Sequence, residues 1–299
     1  MGAIISASRR TDIPAFYLDW FLNRCRAGFC HVPNPFNLRQ VRRVLLRRQD
    51  VAAVVLWTKD PAPLLSRLSE MDGLGLPYVI LHTLNSYPRD LEPGLARVEK
   101  RLARFRALAE HVGPGRTAWR YDPIILSNRT PHDWHAERFA DMARALRGAT
   151  RRVIVSFLDL YRKTERGLKP LEAAGWRFLR GAEDAPETHA LLRRMAAAAR
   201  ANGMQLQACA EALDYTADGV PPGACIDGAW LHRAVGAAGH GQEDPNQRQT
   251  CRCVASRDIG VPDTCLHGCV YCYATRSPEA AAARHACHDP QAPMLWRPE

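Results

Sequence analysis

Short apolar runs recur along the chain, each closed by polar or proline-containing residues. They are AIISAS from Ala3, VAAVVLWT from Val51, YVILHT from Tyr78, TAWRYD from Thr117, RVIVSFL from Arg152 and MQLQAC from Met204. Their β-branched and aromatic content favours strands. Between them, LEPGLARVEKRLARFRALAEHV and ETHALLRRMAAAARANG carry apolar residues at i, i+3, i+4 and i+7, and the second stops at Asn202-Gly203 as a helix does. Strands alternating with helices predict an α/β protein with a parallel sheet built from βα units. Six such strands in series fit a partial, TIM-like (β/α)6 barrel over residues 1–219. From about Val220 to Gly260 the rhythm breaks into a Gly-, Pro-, Gln- and Asn-rich stretch, expected to be an irregular loop region that supplies ligands. Residues 261–299 then hold a cysteine-bearing loop and a last helix, for which Ser277-Pro278-Glu279 offers an N-cap residue and a proline at the first helical position.

With 299 residues, 46% hydrophobic and 24% charged, the chain has ample material for one barrel or two modest domains. No run approaches the roughly 18 apolar residues of a membrane span, and no apolar stretch of signal-peptide length precedes Arg9 and Arg10. A cytoplasmic protein without membrane partners is the expectation. The net charge of +10 raises nucleic acid as a partner, but the arginines are scattered along helix faces (Arg97, Arg101, Arg104; Arg144, Arg147, Arg151), as on a solvated surface. Ten cysteines in a reducing compartment argue for metal binding rather than disulfides.

The most specific signal is TCLHGCVYCYAT, in which Cys265, Cys269 and Cys272 are spaced C-x3-C-x2-C. Three thiolates on one compact loop can hold three irons of a [4Fe–4S] cubane and leave the fourth iron free for a small molecule. Gly268 lets the backbone turn tightly there. Zinc is the competing reading, but it wants four closed ligands and prefers paired C-x2-C knuckles. Cys209, Cys225, Cys251 and Cys253 form a second set. Four ligands would close an auxiliary iron–sulfur cluster or a structural zinc site; ordinary buried thiols are the third reading. Cys25, Cys30 and Cys287 are expected to be inert.

The wording CLHGCVYCYA resembles the cluster loop of the radical S-adenosylmethionine (SAM) enzymes of the spore photoproduct lyase-like branch, whose members carry it at the first barrel strand. Other landmarks of that branch resemble segments upstream here, in order: Thr11-Asp12-x-Pro14, WTKDP from Trp57, LHTLNSY with the L-E-P…R helix, and RYDPIIL. The resemblance implies circular permutation, with the first strand and its cluster loop supplied last, which barrels tolerate because their first and last strands are neighbours. Nearly the whole chain is similar to the domain-of-unknown-function 1848 family, through SASRRTDIPAF, WTKDP, WRYDPI, ACAEAL, GACID, CRCVASRDIG and TCLHGCVYCYA. The radical SAM resemblance implies a cluster on Cys265, Cys269 and Cys272, SAM as cofactor, Tyr271 near its adenine, a 5′-deoxyadenosyl radical as oxidant, and flavodoxin or ferredoxin as electron donor.

Barrel chemistry gathers at the C-terminal ends of strands. That rule selects Arg9, Arg10, Thr11 and Asp12, then Thr58 and Lys59, then His82, Thr83 and Asn85, and beyond them Arg120, Asp122, Asp159, Tyr161 and Glu211. Among these, Arg10, Thr11, Asp12, Thr83 and Asn85 are candidates to bind SAM, with Arg10 and Asp12 at its methionyl end or ribose. Arg120, Asp122 and Tyr161 are candidates for catalysis: Arg120 to neutralise a substrate carboxylate or phosphate, Tyr161 to donate a hydrogen atom. Ser256-Arg257-Asp258 reads as an Arg–Asp pair fixing the approach to Cys265. Two alternative functions stay open, namely nucleic-acid repair or modification by the same chemistry, and a non-catalytic iron–sulfur or zinc protein for electron transfer or scaffolding. No P-loop, G-x-G-x-x-G or G-x-S-x-G occurs, which argues against phosphoryl transfer and triad hydrolysis.

Overall fold

A computed structural model describes residues 2–239 and 241–297. The strands are β1 (Ala3–Ala7), β2 (Phe29–Asn34), β3 (Asn37–Leu45), β4 (Val51–Thr58), β5 (Tyr78–Thr83), β6 (Thr117–Ile124), β7 (Arg152–Phe157), β8 (Gln205–Cys209), β9 (Pro222–Gly223) and β10 (Arg257–Asp258). Eight of them form one parallel sheet in the order β10-β1-β4-β5-β6-β7-β8-β9, curled into a half-barrel. All six strands expected from the apolar runs are present. The two additional strands are two-residue edges, too short to leave a hydrophobic signature. Both, β9 and β10, lie inside the stretch expected to be irregular.

Period-2 alternation assigns the two faces of the sheet. Ile4, Ala53, Val55, Val79, Leu81, Ala118 and Ile154 point into the concavity, where segment 224–254 and its helix Gly228–Val235 fill the lower part with Ile226, Trp230 and Leu231. The alternate residues point outward beneath helices. Trp119, Tyr121, Val153 and Val155 pack with Phe139, Leu192 and Met195 of helices His132–Ala145 and Pro186–Ala201. A sheet covered on both faces explains the near-continuous apolar strands.

Two local expectations are corrected. The helix read from Leu91 begins only at Val98, because Pro93 and Gly94 turn the chain and leave Leu91–Arg97 as a loop. Residues 29–45, unassigned from sequence, form an antiparallel hairpin of β2 and β3 outside the main sheet. The last helix, Pro278–Ala286, starts as expected, with the Ser277 hydroxyl accepting from the Ala280 amide at 3.1 Å. Among the described residues, no helix is long and apolar enough to cross a membrane.

Candidate functional site

The C-terminal ends of the strands open into a cavity of about 1130 Å3. The parity that buries Val55, Leu81, Ala118 and Ile154 also turns Trp57, Thr83, Arg120, Asp122 and Ser156 into this cavity. Cys265, Cys269 and Cys272 line it, as do Cys209, Cys225, Cys251 and Cys253. The sheet therefore brings both sulfur sets to one space.

The loop carrying Cys265, Cys269 and Cys272 is seated on three upstream segments. On the Leu91–Gly94 turn, the Leu91 carbonyl accepts from the Val270 amide (3.2 Å) and the Gly94 amide donates to the His267 carbonyl (3.1 Å). A Cβ at Gly94 would overlap that same carbonyl oxygen, and a Cβ at Gly167, inside helix Arg162–Ala173, would overlap the Val270 carbonyl oxygen. Backbone approaches backbone at both points, which only glycine permits. The third support is Asp12. One of its carboxylate oxygens caps the Ala15 amide at 3.0 Å; the other accepts from the Thr58 hydroxyl (3.1 Å), the Lys59 amide (2.7 Å) and His267 Nε2 (2.7 Å). Protein donors fill this carboxylate, so Asp12 ties β1, β4 and the cysteine loop together rather than presenting a free acceptor to a ligand.

Glu92, not singled out from sequence, is the second buried tie. Its carboxylate accepts from Lys59 Nζ (2.7 Å), from Arg101 Nη2 (3.3 Å) and from the Tyr271 hydroxyl, and Lys59 also donates to Tyr271 at 2.8 Å. Burial alone would push the Glu92 carboxyl up; Lys59 and Arg101 outweigh it and hold the group below the usual carboxylate range. The same pairing, against burial, keeps Lys59 above its ordinary value, a fixed cation beside Cys269. Tyr271 is thereby clamped by its hydroxyl while its ring lines the cavity.

Arg120 and Asp122 form an ion pair, with Ser156 donating to Asp122 and Arg120 donating to the Thr83 hydroxyl at 3.0 Å. The guanidiniums of Arg120 and Arg9 lie over the Trp57 ring, 4.8 and 5.4 Å from its centroid. Several polar atoms lining the cavity are buried with no hydrogen-bond partner among the described residues: Thr11 Oγ1, Arg9 Nη2, Arg120 Nε, Trp57 Nε1 and Ser256 Oγ. Buried groups of this kind are met by ordered water, an ion or a bound polar group. Arg10 lines the cavity, held at 3.4 Å from the Gly260 carbonyl, and Tyr161 stands at its rim. Asn85 does not line it: its amide is paired to the Asp122 backbone at 2.9 and 3.0 Å. His82 faces the other way, stacked on Phe105 with ring centroids 5.1 Å apart. Asp258 accepts from Ser6, Ser8, the Arg9 amide and the Gly260 amide, so β1, and not Arg257, is its partner.

The four cysteines of the second set also converge. Cys225 and Cys209 sulfurs are 3.2 Å apart, and the Cys253 thiol, in contact with those of Cys209, Cys225 and Cys251, is held below the ordinary thiol value by their hydrogen bonds. Among the described residues, no three His, Cys, Asp or Glu side chains stand as a ready-made cage for a single metal ion. A family model described as a domain of unknown function (DUF1848) matches residues 4–274. The chain belongs to the DUF1848 family. No curated protein and no solved structure matches it.

In this DUF1848 protein, Glu92, Trp57, Ser156, His267, Gly94 and Gly167 are the site components that sequence reasoning missed. For Trp57 the signal was present, since it shares the parity of Ala53 and Val55 at the end of an apolar run. Glu92 falls within the L-E-P…R landmark, but its role, like that of the two glycines, is defined by contacts with residues about 100 to 180 positions away.

Two outcomes are expected. Gly167→Ala in an ordinary helix interior would stabilise by about 0.5–1 kcal/mol; here it should lower the melting temperature and speed thiol labelling of the loop cysteines, and a stabilised protein with unchanged labelling would refute the seating. Burial pushes the Glu211 carboxyl up to about 7, from an ordinary value of 4.5. The folded state then holds a proton that the unfolded chain releases, so this group's contribution to stability falls as pH rises across that window. Urea midpoints at about pH 5 and pH 7.5 should differ less in Glu211→Gln than in the wild type.

Proposed function

We propose that this protein is a radical SAM enzyme, a circularly permuted (β/α)6-type barrel holding a [4Fe–4S] cluster on Cys265, Cys269 and Cys272. The position of β10 carries the assignment. It pairs with β1 at the edge of the sheet, in register Ile5↔Arg257 and Ser6↔Asp258, so the chain running from it delivers the three cysteines to the C-terminal ends of the other strands. In spatial order, the strand before the cysteine loop comes first and β1 second, as permutation requires.

The donor set fits the group: three free thiols, half-buried, on a loop whose backbone is clamped at Gly94 and Gly167, beside the fixed cation of Lys59. When bound, the cluster and SAM would supply reductive cleavage of a sulfonium carbon–sulfur bond and a 5′-deoxyadenosyl radical. The protein's own residues orient and shield. Tyr271, fixed by Glu92 and Lys59, offers an aromatic wall for an adenine, while Thr11 Oγ1 and the half-buried Arg10 offer a hydroxyl and a cation to the polar end of the cofactor. Asp12 and Asn85 act through the backbone they hold. Arg120 and Asp122 stand on the concave face, where the Arg120 guanidinium presents a cation for an anionic substrate group. A flavodoxin or ferredoxin would supply the electron, in a cytoplasmic setting.

A second observation favours an anionic polymer as substrate. The β2–β3 hairpin borders the cavity through Phe36 and Arg42, and it exposes Arg39, Arg42 and Arg43, with Arg47 and Arg48 just beyond. Phe36 is 97% exposed, an unusual position for a ring unless something stacks on it.

After anaerobic reconstitution with iron and sulfide, the dithionite-reduced wild type should form 5′-deoxyadenosine from SAM, and Cys269→Ala should form none. Zinc without deoxyadenosine in the wild type would sink the proposal in favour of a non-catalytic metal protein. For the polymer reading, Arg39→Ala/Arg42→Ala/Arg43→Ala should weaken binding of single-stranded oligonucleotides and flatten the slope of log K against log salt by about 0.7 for each phosphate no longer neutralised. Wild-type binding that is undetectable, or insensitive to salt, would exclude it.

A further inference from the structure

We infer that Arg9, Arg120 and the indole N–H of Trp57 form a phosphate site at the C-terminal ends of the strands, which takes a phosphate group of the substrate. That the phosphate belongs to a substrate rests on the radical SAM reading; the site itself does not.

Three parts of the sheet supply the donors. In the strand order β1-β4-β5-β6, Arg9 follows β1, Trp57 stands near the end of β4 and Arg120 lies on β6. Trp57 therefore has one arginine on each side of it in the sheet, and their guanidinium carbons come within 5.4 and 4.8 Å of its ring centroid. All three residues line the cavity, and each is held in place. The Arg9 backbone is pinned twice, its amide donating to Asp258 at 2.8 Å and its carbonyl accepting from the Tyr273 hydroxyl at 2.7 Å. Arg120 is fixed by Asp122 and Thr83. Trp57 is only 6% exposed, and its indole nitrogen, which can only donate, has no acceptor among the described residues. Arg9 Nη2 and Arg120 Nε are likewise without one.

Charge decides between water and an anion. The carboxylates that line the cavity, Asp12, Asp122, Asp159, Asp244 and Asp258, already accept from protein donors around them. Lys59, Arg120 and Arg248 have partners in Glu92, Asp122 and Asp159, whereas the Arg9 guanidinium forms no ion pair among the described residues. Ordered water would meet the donors but not the charge, and a half-buried guanidinium without a counter-ion is costly. The arrangement of donors then separates phosphate from carboxylate. A carboxylate is planar, has two oxygens and is matched by one guanidinium fork. Here the fork of Arg120 is occupied, Nη2 by Asp122 and Nη1 by Thr83, which leaves single N–H groups from separate residues. Donors that converge singly from three residues suit a tetrahedral group with three free oxygens and close to two negative charges.

The test is titration calorimetry of the full chain, after anaerobic reconstitution, with inorganic phosphate and with acetate at constant ionic strength. The wild type should bind phosphate, and acetate about tenfold more weakly or worse. Arg9→Gln should weaken phosphate about tenfold or more, the scale of one charge-assisted hydrogen bond, and Arg9→Lys, which keeps the charge, should weaken it less. Arg120 is left unchanged because its removal would strand Asp122 without a counter-ion. Trp57→Phe, which keeps an aromatic ring and loses the N–H, should weaken phosphate several-fold. Arg47→Ala/Arg48→Ala, exposed and outside the cavity, should bind phosphate as the wild type does. No phosphate binding in the wild type, equal affinity for acetate, or an equal loss in the Arg47→Ala/Arg48→Ala variant would each overturn the inference. Displacement of phosphate by SAM would overturn it too, since the site would then belong to the cofactor's own carboxylate. If Arg9→Gln does not fold, Arg9→Lys and Trp57→Phe decide. Phosphate binding in a protein that forms no 5′-deoxyadenosine would leave this site in place and remove only the radical SAM assignment.

Discussion

The structure depends on the seating of β10 beside β1. Asp258 is 252 residues from Ser6 in sequence, yet its carboxylate takes the Ser6 and Ser8 hydroxyls and the Arg9 amide, and Gly260 passes so close to Ser8 that a Cβ would collide with its hydroxyl. A two-residue strand adds little ladder energy of its own. What holds it is a charge-assisted acceptor meeting hydroxyl and amide donors in a half-buried setting, where such bonds are stronger than neutral ones. From this docking the chain runs past Gly260 into the loop of the three cysteines, which Leu91, Gly94 and Asp12 then hold.

Asp12 and Glu92 extend the same logic. Each is a buried carboxylate whose desolvation is offset by several donors, and each reaches across the chain to the cysteine loop, through His267 and Tyr271 respectively. Buried charges of this kind are poor sources of net stability, but removing one partner is expensive, by roughly 3–5 kcal/mol. They act as position-fixing elements: the loop has one place in which all these donors and acceptors are matched. Glycines 94 and 167 provide the complementary steric condition by allowing backbone contact where any side chain would intervene.

The cavity is thus bordered by two sulfur sets, three thiols on the docked loop and four from the end of β8 and the segment that fills the half-barrel, with Trp57 and its two stacked guanidiniums lining the same space. Strand alternation delivers Trp57, Arg120 and Asp122 to this space for the same reason that it buries Val55 and Ala118: they share a face. These three side chains are therefore held on sheet positions, while the cysteine loop, the segment from Asp244 to Ser256 and the hairpin of β2 and β3 border the cavity from outside the main sheet.

Much of this was legible in the chain itself. Apolar runs determined the six longer strands of the main sheet, spacing picked out the cysteine loop, and Ser277-Pro278 marked the last helix, because strand burial, ligand spacing and capping are local properties that sequence records directly. Tertiary structure alone decided that Asp12 serves as a tie, that His82 faces away and that Asn85 pairs with backbone, since facing depends on what packs opposite. It also decided that β10 lies beside β1, that Glu92 clamps Tyr271, and that four scattered cysteines meet. These are contacts between residues far apart in the chain, and a pattern read along a sequence carries no record of which distant donor will meet which acceptor when the sheet curls.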